Sequence, residues 1–442
     1  MSQAGDQHRG LSPDDGSSCS HGLHPARPWK TPPVKALVVA GASLGGMNTV
    51  QSARSAGYDG PICLVDPSPV LPHDRPPLTK QVLAGEWELE RARQPVADKL
   101  AEFDVDLRLG VAAESLDVAG LAVGLDDGSR LDASAVVLAT GSRARSLPDA
   151  TAPGTHTLRT GADCLALRGE LDLRPERVVV IGAGFIGAEV AATCRSRGLE
   201  VTMLEADEVP LGRVLPGGIG AFMADLHRSG GVDVRLGARP EAILTDDHGH
   251  TSGVRLDDGE VVPARVVVVG IGAVPAVDWL AGSALSLRSP AEGGGVATDA
   301  TLLAAPGVVA VGDVASWPNP LFDGEVMRVE HWENAIDQGA HAGRRVLAEL
   351  DPKRWDNPGG FSSVPWFWSD QYDSKIQMVG RARPGDEPVV VSGAPGEDRF
   401  VVLYRRGGWC TAALGLNRPR DLVRARMAMS ESLAWDGVAS LF

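Results

Sequence analysis

Thiols are scarce in this sequence. Its 442 residues include five cysteines, Cys19, Cys63, Cys164, Cys194 and Cys410, scattered, odd in number and without a C-x-x-C pair. That pattern argues against a disulfide framework, and a reduced, cytoplasmic protein is the simplest reading. Long apolar runs are also missing. A membrane helix needs roughly 18 to 20 apolar residues, and the stretch from Val266 to Leu280 is interrupted by Gly270, Gly272, Pro275 and Asp278. The N-terminus has no apolar core segment, so no secretory signal is expected. Positive charge is short as well. Lys and Arg number 42 against 57 Asp and Glu, a formal net charge of −15. Such a chain is a poor partner for nucleic acid or for an anionic membrane surface.

The length predicts two or three domains. Hydrophobic residues at 43% and charged residues at 22% are those of an ordinary globular protein. Many of the 53 glycines stand where valine-rich runs end, which is where an α/β protein turns from strand to helix. Residues 1–33 are rich in Ser, Gly, Asp, His and Pro and read as a disordered tail. His8, His21 and His24 in that tail are irregularly spaced without a carboxylate or thiol cluster, so no metal site is expected.

From Val34 onward one plan occurs twice. Val38–Ala40 reads as a buried strand, Gly41–Gly46 as a tight turn, Asn48–Ala56 as a helix and Pro61–Val65 as a strand that ends at Asp66. Then Arg177–Ile181 reads as a strand, Gly182–Gly187 as a turn, Ala188–Arg197 as a helix and Val201–Leu204 as a strand that ends at Glu205. Further buried strands are expected at Ala135–Ala139, closed by Thr140 and Gly141, and at Val266–Val269, stopped by Gly270 and Gly272. Two β-α-β units imply two nucleotide sites. Beyond Asp351, alternating runs such as Pro388–Ser392 and Phe400–Tyr404 predict an antiparallel sheet.

The second turn has the full glycine fingerprint. Gly182 permits the tight turn, Gly184 lets backbone approach a pyrophosphate, and Gly187 lets helix pack on strand. Phosphates would sit on the free N–H groups at the start of the helix. Glu205 is placed to accept both ribose hydroxyls and to repel a 2′-phosphate, so NAD is favoured over NADP. In the first turn, Gly41 and Gly46 are kept, but Ser43 replaces the middle glycine; its small hydroxyl can donate to phosphate, and Asp66 supplies the ribose carboxylate.

Taken together, residues 34–430 resemble the two-dinucleotide-fold flavoprotein reductases, most closely the FAD-dependent ferredoxin reductases that serve monooxygenases and ring-hydroxylating dioxygenases. The segments that carry the resemblance are His73–Lys80, Ala139–Arg143, Gly312–Ala315, Val329–Ala335 and Pro365–Asp373. The resemblance implies an α/β fold of two Rossmann-like domains plus a C-terminal α+β domain. It places FAD on 34–149 and 273–357, NAD on 150–272, and the third domain on 358–442. It implies that Arg75 and Lys80 approach the flavin, that Thr140, Gly141 and Arg143 close its first half-site, and that Asp313 binds its ribityl chain. It also sets Glu330, His331 and Trp332 beside the isoalloxazine, adds Gly272 and Trp368 to the cofactor-binding set, and gives Lys80 and Glu189 a coupling role across the domain junction.

Relatives with this layout often carry a redox-active cysteine pair beside the flavin. Here no cysteine lies between Cys63 and Cys164, so thiol relay is not expected and electrons must leave the flavin directly. A small acidic iron–sulfur ferredoxin is the acceptor that the resemblance implies. An NADH oxidase or quinone reductase, or a flavoprotein whose redox state controls binding, remain the alternatives. Arg405, Arg406, Arg418, Arg420, Arg424 and Arg426 stand against Asp421, Glu431 and Asp436 in residues 401–442, six cations less three anions, or +3. They are candidates for a platform that steers an acidic partner.

Overall fold

In the computed structural model, which describes residues 35–442 apart from Asp149 and Arg213, the strand–turn–helix–strand unit is built twice. The expected tail, with Cys19, His8, His21 and His24, lies outside the described residues. In the first unit, strand Ala36–Ala40 runs through a turn into helix Leu44–Ser55 and on to strand Ile62–Asp66. The two strands pair in parallel, Leu37 opposite Ile62 and Ala40 opposite Val65. In the second, Arg177–Ile181 leads to helix Phe185–Ser196 and strand Glu200–Glu205, again parallel. Val178, Val179 and Val180 are all buried, as both faces of a covered parallel sheet require. Each such side chain contributes roughly 1.5–3 kcal/mol of burial free energy.

Both helices begin earlier than their sequences suggest. Helix Leu44–Ser55 takes Gly45 and Gly46 into its first turn, and helix Phe185–Ser196 takes Gly187. Glycine is a poor helix former, but here packing decides. A Cβ on Gly46 would stand 1.9 Å from the carbonyl oxygen of Gly41, and one on Gly187 would stand 2.1 Å from that of Gly182.

Around each unit a sheet is completed. The first sheet runs Leu303–Ala305, Val308–Ala310, Arg130–Leu138, Ala36–Ala40, Ile62–Asp66, Val105–Leu109, and Ala113–Asp117 with Ala122–Leu125 extends it from Arg130–Leu138. The second runs Asp233–Leu236, Glu200–Glu205, Arg177–Ile181, Val266–Val269, Thr155–His156, all parallel. The chain leaves the first sheet along Ser142–Ala144 and returns along Ala273–Pro275, and these passages pair as an antiparallel ribbon. Helix Trp332–Leu350 then crosses helix Leu44–Ser55 closely. A Cβ on Gly339 would stand 2.4 Å from the Gly45 oxygen, so only glycine allows the approach.

The C-terminal part is a five-stranded antiparallel sheet with helices Pro419–Glu431 and Trp435–Ala439, the α+β arrangement expected. One face of the sheet carries Ile376, Met378, Phe400, Val402 and Tyr404 against Leu215, Ile219, Phe222 and Met223 of the second unit. The other face joins the core of the first sheet through Val379, Val401 and Leu403. No helix among the described residues is long and apolar enough to cross a membrane.

His227, on helix Ala221–Ser229, shares a 2.9 Å hydrogen bond with the Tyr372 hydroxyl across this contact. Burial pushes the His227 imidazole down to about 4, against ~6.5 in an unfolded chain. As pH falls the unfolded state takes up that proton first, so the protein loses stability from pH ~6.5 towards ~4. At neutral pH the His227→Gln variant is expected to be less stable than wild type, with the gap shrinking as pH falls through this window. Thermal unfolding of both proteins at several pH values checks it; a gap independent of pH would show that His227 is not buried neutral.

Candidate active site

The duplicated units carry the same polar fastening. In the first, the Ala42 N–H donates to Oδ2 of Asp66 at 2.7 Å, and the Ser68 N–H donates to Oδ1 at 2.9 Å. In the second, the Ala183 N–H donates to Oε2 of Glu205 at 2.8 Å, and the Asp207 N–H to Oε1 at 3.0 Å. Each carboxylate thus ties the glycine turn to the end of the second strand and stays half-buried beside the helix N-terminus. Gly41 and Gly182 have φ of +110° and +99°, a region that L side chains rarely adopt.

Gly184 differs from those glycines. Its φ is −73°, and a Cβ there would meet only the Gly270 oxygen at 3.8 Å, an ordinary contact. Neither backbone strain nor packing demands glycine at this helix N-cap; its lack of a side chain leaves room for a pyrophosphate close to backbone N–H groups. Ser43 holds the matching N-cap in the first unit, half-buried, with no side-chain capping bond. Gly141 and Gly272 have φ of +69° and +102° and border open space. Thr140 donates to the Ala276 carbonyl at 2.9 Å.

Between the units stands Glu189. It is the fifth residue of its helix, beyond the first turn, and its carboxylate is buried. Favourable interaction with the helix dipole falls off within that turn, so side-chain partners are what hold the charge. Lys80 Nζ lies 3.0 Å from Oε2, with both side chains largely shielded. The Thr79 hydroxyl donates to the same oxygen, and the Ser369 hydroxyl donates to Oε1 at 2.8 Å. Ser369, from the first strand of the C-terminal sheet, falls in the Pro365–Asp373 segment, but the sequence assigned it no site role.

A second buried carboxylate, Asp313, follows the strand Val308–Ala310. It accepts from Ser142 Oγ at 2.7 Å and from the Arg159 guanidinium, and Arg75 approaches to 3.9 Å. Burial would raise its pKa, but the charges of Arg159 and Arg75 outweigh that and hold it below the usual carboxylate range. Arg159 was missed from sequence. It sits in the passage between the sheets, and no motif marks it. Arg143, one residue past Ser142 on a strand, points to the opposite face and pairs with exposed Asp278 at 3.1 Å. The structure does not bring it to Asp313. Glu330 is exposed and paired with Arg328, whose Nη1 also donates to the Asp313 carbonyl at 3.1 Å.

His331 caps helix Trp332–Leu350, and burial pushes its imidazole down to about 4. It is therefore neutral at neutral pH, and its buried Nδ1 has no protein partner. Its ring packs on Phe367 with centroids 4.9 Å apart, and Phe367 packs on Phe185 at 4.6 Å. Trp332 donates from Nε1 to Asp74 at 3.0 Å and meets Trp368 edge-on at 6.2 Å.

Thiols are remote in character from such a site. Cys63, Cys164, Cys194 and Cys410 are free and buried, and burial pushes Cys63, Cys194 and Cys410 up to about 12 and Cys164 to about 11. Thiolate chemistry at neutral pH is thereby suppressed. The six C-terminal arginines do not form one platform either. Arg406 bonds buried Asp386 at 2.6 and 2.9 Å, Arg426 bonds both oxygens of Glu333 at 2.8 and 2.9 Å, and Arg418 pairs with Asp421 at 3.2 Å. Arg405, Arg420 and Arg424 remain exposed. A charge count over 401–442 misses Asp386 and Glu333 because the fold brings them from outside that range.

Comparison with known proteins agrees with this geometry. Residues 35–339 match the pyridine nucleotide-disulphide oxidoreductase family, and residues 366–439 match the reductase C-terminal family. The chain is 36% identical over 393 residues to the 5,5'-dehydrodivanillate O-demethylase ferredoxin reductase subunit of Sphingobium, covering 88% of this chain and 92% of that one. It is 33% identical to putidaredoxin reductase of Pseudomonas putida, covering 90% and 92%. Among solved structures, the covalent putidaredoxin reductase–putidaredoxin complex superposes with a TM-score of 0.82 at 31% identity, over 90% of this chain and 93% of that one. The chain belongs to the pyridine nucleotide-disulphide oxidoreductase family, in the form that carries an additional reductase C-terminal domain.

Proposed function

We propose that this protein is a ferredoxin–NAD(+) reductase that takes hydride from NADH through FAD and passes single electrons to a small iron–sulfur ferredoxin, which supplies a monooxygenase or dioxygenase. The observation that carries the reading is the junction at Lys80 and Glu189. Two glycine turns, each with its own carboxylate, flank a buried ion pair, and among the described residues there is no reactive thiol to relay electrons. FAD, when bound, accepts two electrons from a hydride donor and releases them one at a time. Relatives named as ferredoxin reductase components, of anthranilate 1,2-dioxygenase in Burkholderia cepacia and of p-cumate 2,3-dioxygenase in Pseudomonas putida, support the partner class.

In this reading residues 34–149 and 273–357 form the FAD domain, residues 150–272 the NAD domain and 358–442 the third domain. The helix that starts at Leu44 offers its free N–H groups to the FAD phosphates, with Gly41, Ser43 and Gly46 giving access and Asp66 accepting from the ribose. Gly182, Gly184, Gly187 and Gly272 do the same for NADH, with Glu205 on its ribose. Asp313, held ionised by Arg159 and Arg75, accepts hydroxyls of the ribityl chain. Neutral His331 has a free Nδ1 for a polar edge of the flavin, and Trp332 and Trp368 exclude water there. Lys80 would stand beside the flavin, with Glu189 as its ion-pair partner. The buried, unpaired cysteines favour a reduced compartment, and we assign the protein to the cytoplasm.

Purified protein is expected to be yellow and to release FAD on denaturation; released FMN, or apoprotein that cannot be reconstituted, would remove the basis of the reading. NADH is expected to be preferred over NADPH in kcat/KM. The Glu205→Gln variant keeps an acceptor for the Ala183 N–H but loses the charge, so the preference should narrow about tenfold, roughly 1.4 kcal/mol. An unchanged ratio would show that Glu205 does not face the ribose. Cytochrome c reduction driven by NADH should accelerate many-fold on adding an acidic [2Fe–2S] ferredoxin. Rapid turnover on oxygen alone, indifferent to every ferredoxin tried, points instead to an oxidase.

A further inference from the structure

Strand Trp366–Gln371 opens the C-terminal sheet, and its alternation sorts its side chains onto two faces. Trp366 and Trp368 lie on one face, their rings 5.2 Å apart. Phe367, Ser369 and Gln371 lie on the other, which turns to helix Phe185–Ser196. On that helix Phe185 and Glu189 are four residues apart and share a face. The two faces meet in register: Phe367 stacks on Phe185 with centroids 4.6 Å apart, and Ser369 donates to Glu189 at 2.8 Å.

The Ser369 contact is buried on every side. Ser369 and Gln371 are both fully inaccessible, and Gln371 Nε2 donates to Ser369 Oγ at 3.0 Å. With its acceptor side engaged by that amide, the Ser369 hydroxyl is directed to donate to Glu189 Oε1. The other carboxylate oxygen, Oε2, is left to Thr79 and Lys80. A carboxylate has two oxygens in one plane, so a donor fixed on the first sets the rotation of the second. Without Ser369, Thr79 and Lys80 alone would hold Glu189 about its last torsion, which is broad for a terminal sp³–sp² bond, and a buried lone pair would lose its partner.

We propose that Ser369, backed by Gln371, is a positioning residue that orients Glu189 against Lys80, so that the C-terminal domain takes part in NADH-to-flavin transfer and not only in partner binding. The proposal rests on the functional reading above. It predicts a split between binding and transfer, because in that reading the turn at Gly182–Gly187 and Glu205 hold NADH, whereas the Ser369 hydroxyl bonds only Glu189 and Gln371.

The test uses full-length FAD-loaded protein, anaerobic flavin bleaching by NADH, and thermal unfolding. Ser369→Ala is expected to slow bleaching about tenfold while the NADH dissociation constant changes less than twofold. In a Glu189→Ala background the same substitution should add nothing to the rate loss, and the shift in melting temperature that it causes in the wild-type background should largely vanish. Ser369→Cys, close in volume with a weak donor, should lose rate with little change in melting temperature, and it serves if the alanine variant does not retain FAD. Wild-type bleaching rates in both Ser369 variants, or rate losses that multiply in the double variant, overturn the proposal. Wild-type protein that NADH does not bleach overturns the functional reading along with it; normal bleaching with no ferredoxin reduction overturns only the choice of acceptor.

Discussion

The carboxylate of Glu189 is where three parts of the chain meet. It sits on the helix of the second glycine turn, accepts from Thr79 and Lys80 of the first lobe, and accepts from Ser369 of the C-terminal sheet. A buried carboxylate that lost these partners would be strongly destabilising. The arrangement of the lobes is therefore coupled to one ion pair and its hydroxyl donors. The C-terminal sheet is held on both faces by apolar packing, one against Phe222 and Met223 and the other against the core of the first sheet.

The two glycine turns are alike in construction. Each has a left-handed glycine after the first strand, a carboxylate at the end of the second strand that accepts two backbone N–H groups, and a glycine under the helix where a Cβ would strike a carbonyl oxygen. They differ at the N-cap, where one has Ser43 and the other Gly184. The repeat gives two equivalent glycine turns, and the difference is confined to the N-cap of the helix that follows each.

Buried charge elsewhere follows one rule. Asp313 is kept ionised by Arg159 and Arg75, while buried Asp386 lies against Arg406 and buried Glu189 against Lys80. Histidines in the same interior, His227 and His331, go neutral instead, because burial without an anionic partner disfavours their cations. Cysteines do likewise and stay as thiols. The interior thus keeps charge only where a counter-charge is built in, and an electron path through sulfur is absent from the described residues.

Much of this was legible in the chain itself. Within each unit, the strand periodicity, the glycine spacing and the carboxylate, Asp66 or Glu205, lie within about thirty residues of one another, so local sequence determined the two β-α-β units. Helix starts were read too late, because close packing, not propensity, admits Gly46 and Gly187. The roles of Arg159 and Ser369 were invisible, since each acts on a carboxylate more than a hundred residues away; Arg159 sits in no motif, and Ser369 sits in the Pro365–Asp373 segment without any role marked for it. The arginine count near the C-terminus overstates the free charge for the same reason: Arg406 and Arg426 are matched by acids from other segments. The sequence by itself determined the repeated turns, the absence of a thiol pair and the class of cofactor. Only the tertiary structure decided which charges are paired and which hydroxyl orients Glu189, because those depend on distances between strands and helices that folding alone brings together.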